Sequence, residues 1–217
     1  MAATVEDMLD AIARHARSCR DSLGRDHISA GVLRAMRRVP RERFVPDIER
    51  ALAYGDHPLP IGHGQTISQP FIVAFMTDLL DVRAGHRVLE VGTGCGYQAA
   101  VLAELGCELD TIEIVAPLAA AARQTLAELG YTTVRVHHAD GHRGLPERAP
   151  FNRIIVTAAP AAVPAVLVEQ LAPGGRLVIP VGEQLAQELR VIDKDASGAV
   201  VERRVLSVAF VPLTGGP

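Results

Sequence analysis

The stretch from Leu59 to Pro70 reads Leu-Pro-Ile-Gly-His-Gly-Gln-Thr-Ile-Ser-Gln-Pro. It is too polar and too glycine-rich for an ordinary connection, yet it runs straight into an apolar segment. Gly62 and Gly64 let the backbone approach another molecule closely. Gln65, Thr66, Ser68 and Gln69 gather donors and acceptors within a few residues. The Ser68 hydroxyl can hold a substrate anion; its plainer alternative is to cap a helix opening at Pro70. Gln65 has the plainer alternative of an ordinary surface position.

A second run with chemical content is Val88 to Tyr97, Val-Leu-Glu-Val-Gly-Thr-Gly-Cys-Gly-Tyr. Val88 to Val91 reads as a buried strand, and Gly92, Thr93, Gly94, Cys95 and Gly96 as the turn after it. Dinucleotide enzymes share such loops, so the glycines alone do not choose a cofactor. Two details do. The third glycine of the dinucleotide fingerprint is Tyr97 here, which crowds the helix–strand packing that glycine permits. Glu90, two places before the first glycine, would repel a pyrophosphate, whereas it suits the ammonium of S-adenosylmethionine, directly or through water. Glu113 ends an apolar run about 20 residues beyond the glycines, where an acceptor for ribose hydroxyls belongs. The plainer alternatives are a Glu90 bonded to backbone N–H groups, a solvated strand end at Glu113 and a helix cap at Asp140.

The elements that must position these residues follow from periodicity. Val5, Met8, Leu9, Ile12, Ala16, Cys19 and Leu23 have helical spacing. Ser29 is placed to cap a second helix holding Val32, Leu33 and Met36, which Pro40 ends. Arg41 to Val45 reads as a short turn and 46–68 as irregular, a length that is usually functional or mobile. Pro70 opens a helix with Ile72, Phe75, Met76, Leu79 and Leu80 on its apolar side. From Arg87 strands at 87–91, 109–114, 132–136, 153–157 and 176–181 alternate with helical segments near 97–105, 116–129 and 162–171, predicting a parallel sheet covered on both faces. Pro173-Gly174-Gly175 reads as a turn into the fifth strand. The tail alternates at 187–193 and 200–211 around a turn at Asp195-Ala-Ser-Gly198, predicting a closing antiparallel hairpin. Such a mixed sheet suits a class I methyltransferase better than a dinucleotide oxidoreductase.

The chain has 217 residues, 48% of them hydrophobic, which suits one globular unit with a substantial core. Its net charge of −3 gives no electrostatic argument for nucleic acid. Three cysteines, Cys19, Cys95 and Cys107, include no CxxC pair, which points to a reducing cytosol. The start is acidic at Glu6, Asp7 and Asp10, unlike a signal peptide, and no run reaches the roughly 18 apolar residues of a membrane span. His137, His138 and His142 do not read as a metal site: adjacent strand residues face opposite ways, and no cysteine or carboxylate pattern completes a ligand set.

Both loops, in this order, resemble those of the protein-L-isoaspartate O-methyltransferase family, 59–70 its substrate loop and 88–97 its cofactor loop. The likeness runs from about Ile28 to Leu213. Val39 to Val45 resembles the family's N-terminal signature, Ala149 to Pro160 its fourth-strand signature with Asn152 for the usual Asp, and Val208 to Leu213 its closing strand. The resemblance implies a class I, Rossmann-like S-adenosylmethionine-dependent fold with a mixed sheet and a variant strand order at its end. It implies an N-terminal helical cap and substrate loop over 1–68 and a core over 69–217. It implies cofactor contacts from Glu90, Gly92, Thr93, Gly94, Gly96, Glu113, Asp140 and Gly141, with Asp140 on the adenine amino group although Ala139 replaces the family's usual preceding glycine. Cys95 takes a small-residue position and is a candidate for inhibitory alkylation. Ser68 would be the catalytic residue, with Ile61, Gly62, His63, Gly64, Gln65, Thr66 and Val211 shaping the substrate site.

The activity implied is methyl transfer to the α-carboxylate of L-isoaspartyl residues, yielding S-adenosylhomocysteine and needing no metal. A free carboxyl, with a pKa of about 4, is already ionised at neutral pH, so His63 reads as loop geometry or substrate contact and not as a base. The expected partners are damaged proteins and peptides, with no nucleic acid or membrane, and the expected state is a cytoplasmic monomer. The alternative is a relative that methylates one dedicated peptide in natural-product maturation. An NAD-dependent oxidoreductase is disfavoured by Tyr97 and the closing hairpin, and a non-catalytic module by the joint presence of Ser68, Glu90, Glu113 and Asp140.

Overall fold

The computed structural model describes residues 3–183 and 186–216. Helices α1 (Val5–Ser18), α2 (Arg20–Leu23) and α3 (Ala30–Arg38) form the N-terminal cap. Thr4 and Asp7 start α1 with a reciprocal capping box. Ser29 stands at the head of α3, but its side chain makes no capping bond. Instead its N–H donates to Asp78 at 3.0 Å, and the same carboxylate pairs with Arg25.

The segment 46–68 is more ordered than its prolines suggest. It holds a 3-10 helix at Asp47–Leu52 and a small antiparallel hairpin of β1 (Leu59–Gly62) and β2 (Gln65–Ile67). The turn needs left-handed backbone at three successive residues, Gly62 (φ 87°), His63 (φ 54°) and Gly64 (φ 71°). Two of them being glycine makes that turn accessible.

The core is a seven-stranded sheet of β3 (Arg87–Val91), β4 (Glu108–Glu113), β5 (Arg135–His138), β6 (Phe151–Val156), β7 (Leu171–Val181), β8 (Gln187–Lys194) and β9 (Val200–Val208). The strand order is β5-β4-β3-β6-β7-β8-β9. Strands β3 to β7 pair in parallel, and β8 and β9 add antiparallel, so the end of the sheet simply follows chain order. Residues 172–175 make a bulging excursion within β7: Phe151 faces Leu171, yet Arg153 faces Arg176. In the closing hairpin the Asp195 carboxylate accepts from the N–H groups of Ser197 and Ala199 at 2.8 and 2.9 Å. Helices α5 (Tyr97–Ala103), α6 (Ala116–Glu128) and α7 (Ala165–Glu169) complete the layers. Among the described residues, no helix is long and apolar enough to cross a membrane.

Helix α4 (Pro70–Leu80) joins cap to core. All but one of its residues are buried, because α1 and α3 cover one side and β6 and β7 the other. Its sequence is accordingly apolar nearly all round. Neither Ser68 nor Gln69 caps it by a side chain. That work falls to Asp56, which accepts from the Phe71 N–H at 2.9 Å and from Gln69 Nε2 at 3.1 Å, and pairs with His15 at 2.6 Å. Asp56→Ala is expected to destabilise the protein by about 1–3 kcal/mol, from the lost cap and the donors left bare. Urea unfolding would show this; a change below about 0.5 kcal/mol would mean the helix start does not depend on Asp56.

Candidate active site

The chain runs from β3 to β5 on one side of the sheet and then returns to place β6 on the other side of β3. Open α/β sheets bind ligands where the strand order reverses, and the glycine loop lies there. Gly92, Gly94 and Gly96 all have positive φ, 100°, 53° and 92°. Gly92 is also short of space: a Cβ would lie 2.4 Å from Thr157 Oγ1. Thr157 donates to the Gly92 carbonyl at 2.6 Å and so clamps the loop onto the end of β6. Thr93 is buried, its hydroxyl 2.6 Å from that of Thr111. Glu113, at the end of β4, accepts from the N–H groups of Gly94 and Val115 at 2.8 and 2.9 Å. Each carboxylate oxygen keeps acceptor capacity for a ligand hydroxyl.

Gly92, Thr93, Gly94, Glu113, Val115 and Thr157 line a cleft of about 860 Å³, open to solvent. Its lining includes Thr93, Gly94, Glu113 and Gly141, which follow or end strands of the sheet, and Gln65, Thr66, Ser68 and Val211 from the hairpin segment and the chain's last stretch. Gly141 is packed close, since a Cβ there would meet Val91 Cγ1 at 2.4 Å. A second cavity, walled by Pro58, Gln69 and the backbone run from Ser207 to Val211, adjoins the first. Thr66, Ser68, Ile72, Thr157 and Val211 line both, so Ser68 stands at the junction.

Not every residue expected at the site lines the cleft. Ile61 packs towards Gly94, whose Cβ would lie 3.4 Å from Ile61 Cδ1. Gly62, His63 and Gly64 are exposed at the hairpin tip. Gly96 faces Leu126 behind the loop. The Asp140 carboxylate caps the turn Gly141–Arg143 through the His142 N–H at 2.9 Å and accepts from the Gly216 N–H at 2.9 Å. Those bonds, the second-last residue's first, hold its pKa below the usual carboxylate value. Burial pushes the Cys95 thiol up to about 11, so it stays un-ionised at neutral pH. The three histidines have separate partners: His137 meets Asp110 at 2.8 Å, His138 the Ile114 carbonyl at 3.1 Å and His142 Asp140 at 3.3 Å.

Three contributors were not singled out from sequence: Thr157, Gln98 and Arg41. Thr157 had the clearest signal, a polar residue just past the C-terminal end of a parallel strand. Gln98 lines the cleft while donating to Thr77 at 2.8 Å. Arg41 is fully buried and donates to the Ser68 carbonyl at 2.8 Å.

Glu90 lies under the glycine loop, fully buried, and neither carboxylate oxygen has a hydrogen-bond partner among the described residues. Burial pushes its pKa from 4.5 up to about 8; the neighbouring Thr111 hydroxyl opposes the rise, and the Glu113 carboxylate adds the smallest push. The unfolded chain releases this proton near its ordinary pKa while the folded chain keeps it. Stability therefore falls as pH rises from about 5 to 8 and levels off above that. Glu90→Gln is expected to remove this slope and make the ligand-free protein more stable at pH 8 by up to a few kcal/mol. Parallel stability-versus-pH curves for the two proteins would refute a buried, unpaired Glu90.

Comparison with known proteins agrees with this geometry. The family model for protein-L-isoaspartate(D-aspartate) O-methyltransferase matches residues 22–217. The chain is 51% identical over 209 residues to protein-L-isoaspartate O-methyltransferase 2 of Polaromonas sp., covering 96% of this chain and 99% of that protein. It is 55% identical over 183 residues to the protein-L-isoaspartate O-methyltransferase of Gloeobacter violaceus, covering 84% and 89%. A solved protein-L-isoaspartate O-methyltransferase superposes with a TM-score of 0.85 at 26% identity, over 98% of this chain and 66% of that one. The fold is also that of a Plasmodium falciparum chain crystallised with S-adenosyl-L-homocysteine, with a TM-score of 0.78, 24% identity and coverage of 95% and 98%. Matched by the family model from residue 22 onward and by relatives above 50% identity, the chain belongs to the protein-L-isoaspartate(D-aspartate) O-methyltransferase family.

Proposed function

We propose that this chain is a protein-repair enzyme that methylates the α-carboxylate of L-isoaspartyl residues, using S-adenosylmethionine. The observation that carries the reading is the junction at Ser68, where an acceptor cavity opens onto the cleft of the glycine loop. The cleft residues fit the cofactor. Glu90 is a buried acid with no hydrogen-bonded cation among the described residues, suited to an ammonium above it, and Glu113 offers acceptors for ribose hydroxyls. Gly92 and Gly141 let the two loops close tightly onto Thr157 and Val91, which sets the shape of the cleft. When bound, S-adenosylmethionine supplies an electrophilic methyl group on a sulfonium.

The residues of the chain then have a limited task. The acceptor carboxylate is ionised at neutral pH, with a pKa of about 4, so no strong base is needed. Ser68 donates a hydrogen bond to one carboxylate oxygen and leaves the other free to attack along the line to the methyl. Thr66 and Gln65 shape the acceptor side, and the backbone near Val211 lies beside the entering peptide. Alignment and exclusion of water supply the acceleration. The methyl ester formed is a good leaving group; the following backbone nitrogen displaces methanol, and hydrolysis of the resulting succinimide returns some normal aspartate. Asp140 is assigned to the adenine amino group through its remaining acceptor capacity. The free thiols of Cys19, Cys95 and Cys107 support a reducing cytosol, and the net charge of −3 supports no nucleic-acid partner. We assign a monomer, whose cleft stays open to protein chains.

Labelled S-adenosylmethionine should give base-labile methylation of a short L-isoaspartyl peptide and none of its L-aspartyl counterpart. No incorporation with cofactor binding intact would move the activity to a dedicated acceptor. Ser68→Ala should lower kcat about 10- to 100-fold, within the range for losing one oriented donor, with S-adenosylhomocysteine affinity changed less than about threefold. Gly92→Ala should do the reverse at the binding step: calorimetry is expected to show cofactor affinity reduced at least about 10-fold, since both φ and the Thr157 contact oppose a side chain. Unchanged affinity would place the cofactor away from this loop.

A further inference from the structure

Arg41 is the largest fully buried side chain described, and it has no carboxylate within hydrogen-bonding distance among the described residues. Burying an unpaired cation is costly, so what receives its charge matters. Its Nε donates to the Ala53 carbonyl at 2.8 Å, at the end of the 3-10 helix Asp47–Leu52. One Nη donates to the Ser68 carbonyl at 2.8 Å. The guanidinium carbon lies 4.8 Å from the centre of the Tyr97 ring, and Tyr97 is the first residue of α5, directly after the glycine loop. The ring face offers electrostatic attraction to the cation. The ring is itself held edge-on by Phe44, 5.6 Å away, from the turn that carries Arg41.

One rigid, planar group thus touches the cap, the acceptor loop and the residue beside the cofactor loop. A packing role would need only volume, which an apolar side chain supplies. Two oriented bonds to carbonyls, one of them that of Ser68, do something an apolar side chain does not: they fix a peptide plane. The Ser68 side chain caps nothing and its neighbour Gln69 bonds to Asp56, so among the described residues the side-chain bond that holds Ser68 is the one to its carbonyl.

We infer that Arg41 is a positioning residue for methyl transfer, holding Ser68 at a set distance from the glycine loop by bridging its carbonyl to the Tyr97 ring. The inference rests on the assignment of Ser68 as the donor to the acceptor carboxylate. Its consequence is specific: Arg41 matters to turnover only through Ser68.

The test is a double-mutant cycle on the full chain, with Arg41→Met, Ser68→Ala and both together, assayed with S-adenosylmethionine and an L-isoaspartyl peptide. Arg41→Met alone should lower kcat about 10- to 100-fold, the cost of a misplacement near 1 Å, with KM and S-adenosylhomocysteine affinity changed less than about threefold. In the Ser68→Ala background it should lower kcat less than about twofold. If the two losses multiply, or if Arg41→Met acts through lost cofactor affinity, the proposal is overturned while the role of Ser68 stands. If Ser68→Ala alone leaves kcat unchanged, the assignment of Ser68 falls and this inference with it. Should Arg41→Met fail to fold, Arg41→Lys runs the same cycle. Lysine keeps the charge and reaches one carbonyl but cannot span both, so full kcat in Arg41→Lys would also overturn the proposal.

Discussion

The loop that carries Ser68 hangs from a helix buried on both faces. Helix α4 presents Phe71, Phe75, Met76, Leu79 and Leu80 to two different layers, the cap above and the sheet below. Burial of side chains this size stabilises by about 1.5–3 kcal/mol each, so the helix is anchored by on the order of 10 kcal/mol of gross apolar burial. Polar contacts at its ends are weaker, yet they set its orientation. Asp56 grips the N-terminus beside the substrate loop, and Asp78 reaches back to Arg25 and the head of α3. The substrate loop ends where α4 begins, and so inherits the position of a helix that cannot slide without opening two interfaces.

On the donor side the constraint is backbone clearance. Gly92 lies against Thr157 and Gly141 against Val91, each at a distance no side chain tolerates. The strands beneath are buried on both faces, and Val88 to Val91 have almost no exposure. A rigid donor floor and a rigid acceptor helix leave little for the site itself to adjust. Among the described residues, buried polar atoms without partners belong to Glu90, Arg41 and Tyr97, which border the glycine loop or the loop ending at Ser68, and to Arg190 in β8. Unsatisfied groups are uncommon in folded proteins, so three of these four residues lying beside the two loops sets that region apart from the core.

Legibility in the sequence followed the range of the interactions. Strand β3 was readable to the residue because a strand buried on both faces is a continuous apolar run bounded by turn residues. The closing hairpin showed itself through Asp195 to Gly198, whose turn is built from local bonds. The hairpin at Leu59–Ile67 was hidden: its strands are four and three residues long, one contains Pro60, and the register shifts there, so no alternation accumulates. Ser29 and Ser68 occupy the right places to cap helices, yet distant carboxylates, Asp78 and Asp56, meet the backbone donors instead. The motif glycines and Glu113 were found because their spacing follows one βαβ unit. Arg41 was visible only as part of a turn, since its partners Ala53, Ser68 and Tyr97 lie 12, 27 and 56 residues away in the chain.

The chemistry explains why long-range positioning, and not a reactive side chain, dominates this site. An acceptor that is already an anion gains nothing from a base, and His63 sits exposed at the hairpin tip. Cys95, a thiol lining the cleft, is kept neutral by burial, so it does not compete with the acceptor for an electrophilic methyl group. What remains is geometry: a carboxylate oxygen, a methyl and a sulfur in line. In-line displacement depends steeply on that alignment. The backbone around the cleft is held by a buried guanidinium at the Ser68 carbonyl, by Asp56 and Glu113 at backbone amides, and by Thr157 at the glycine loop. These act on the backbone, where a small displacement moves every atom of the site together.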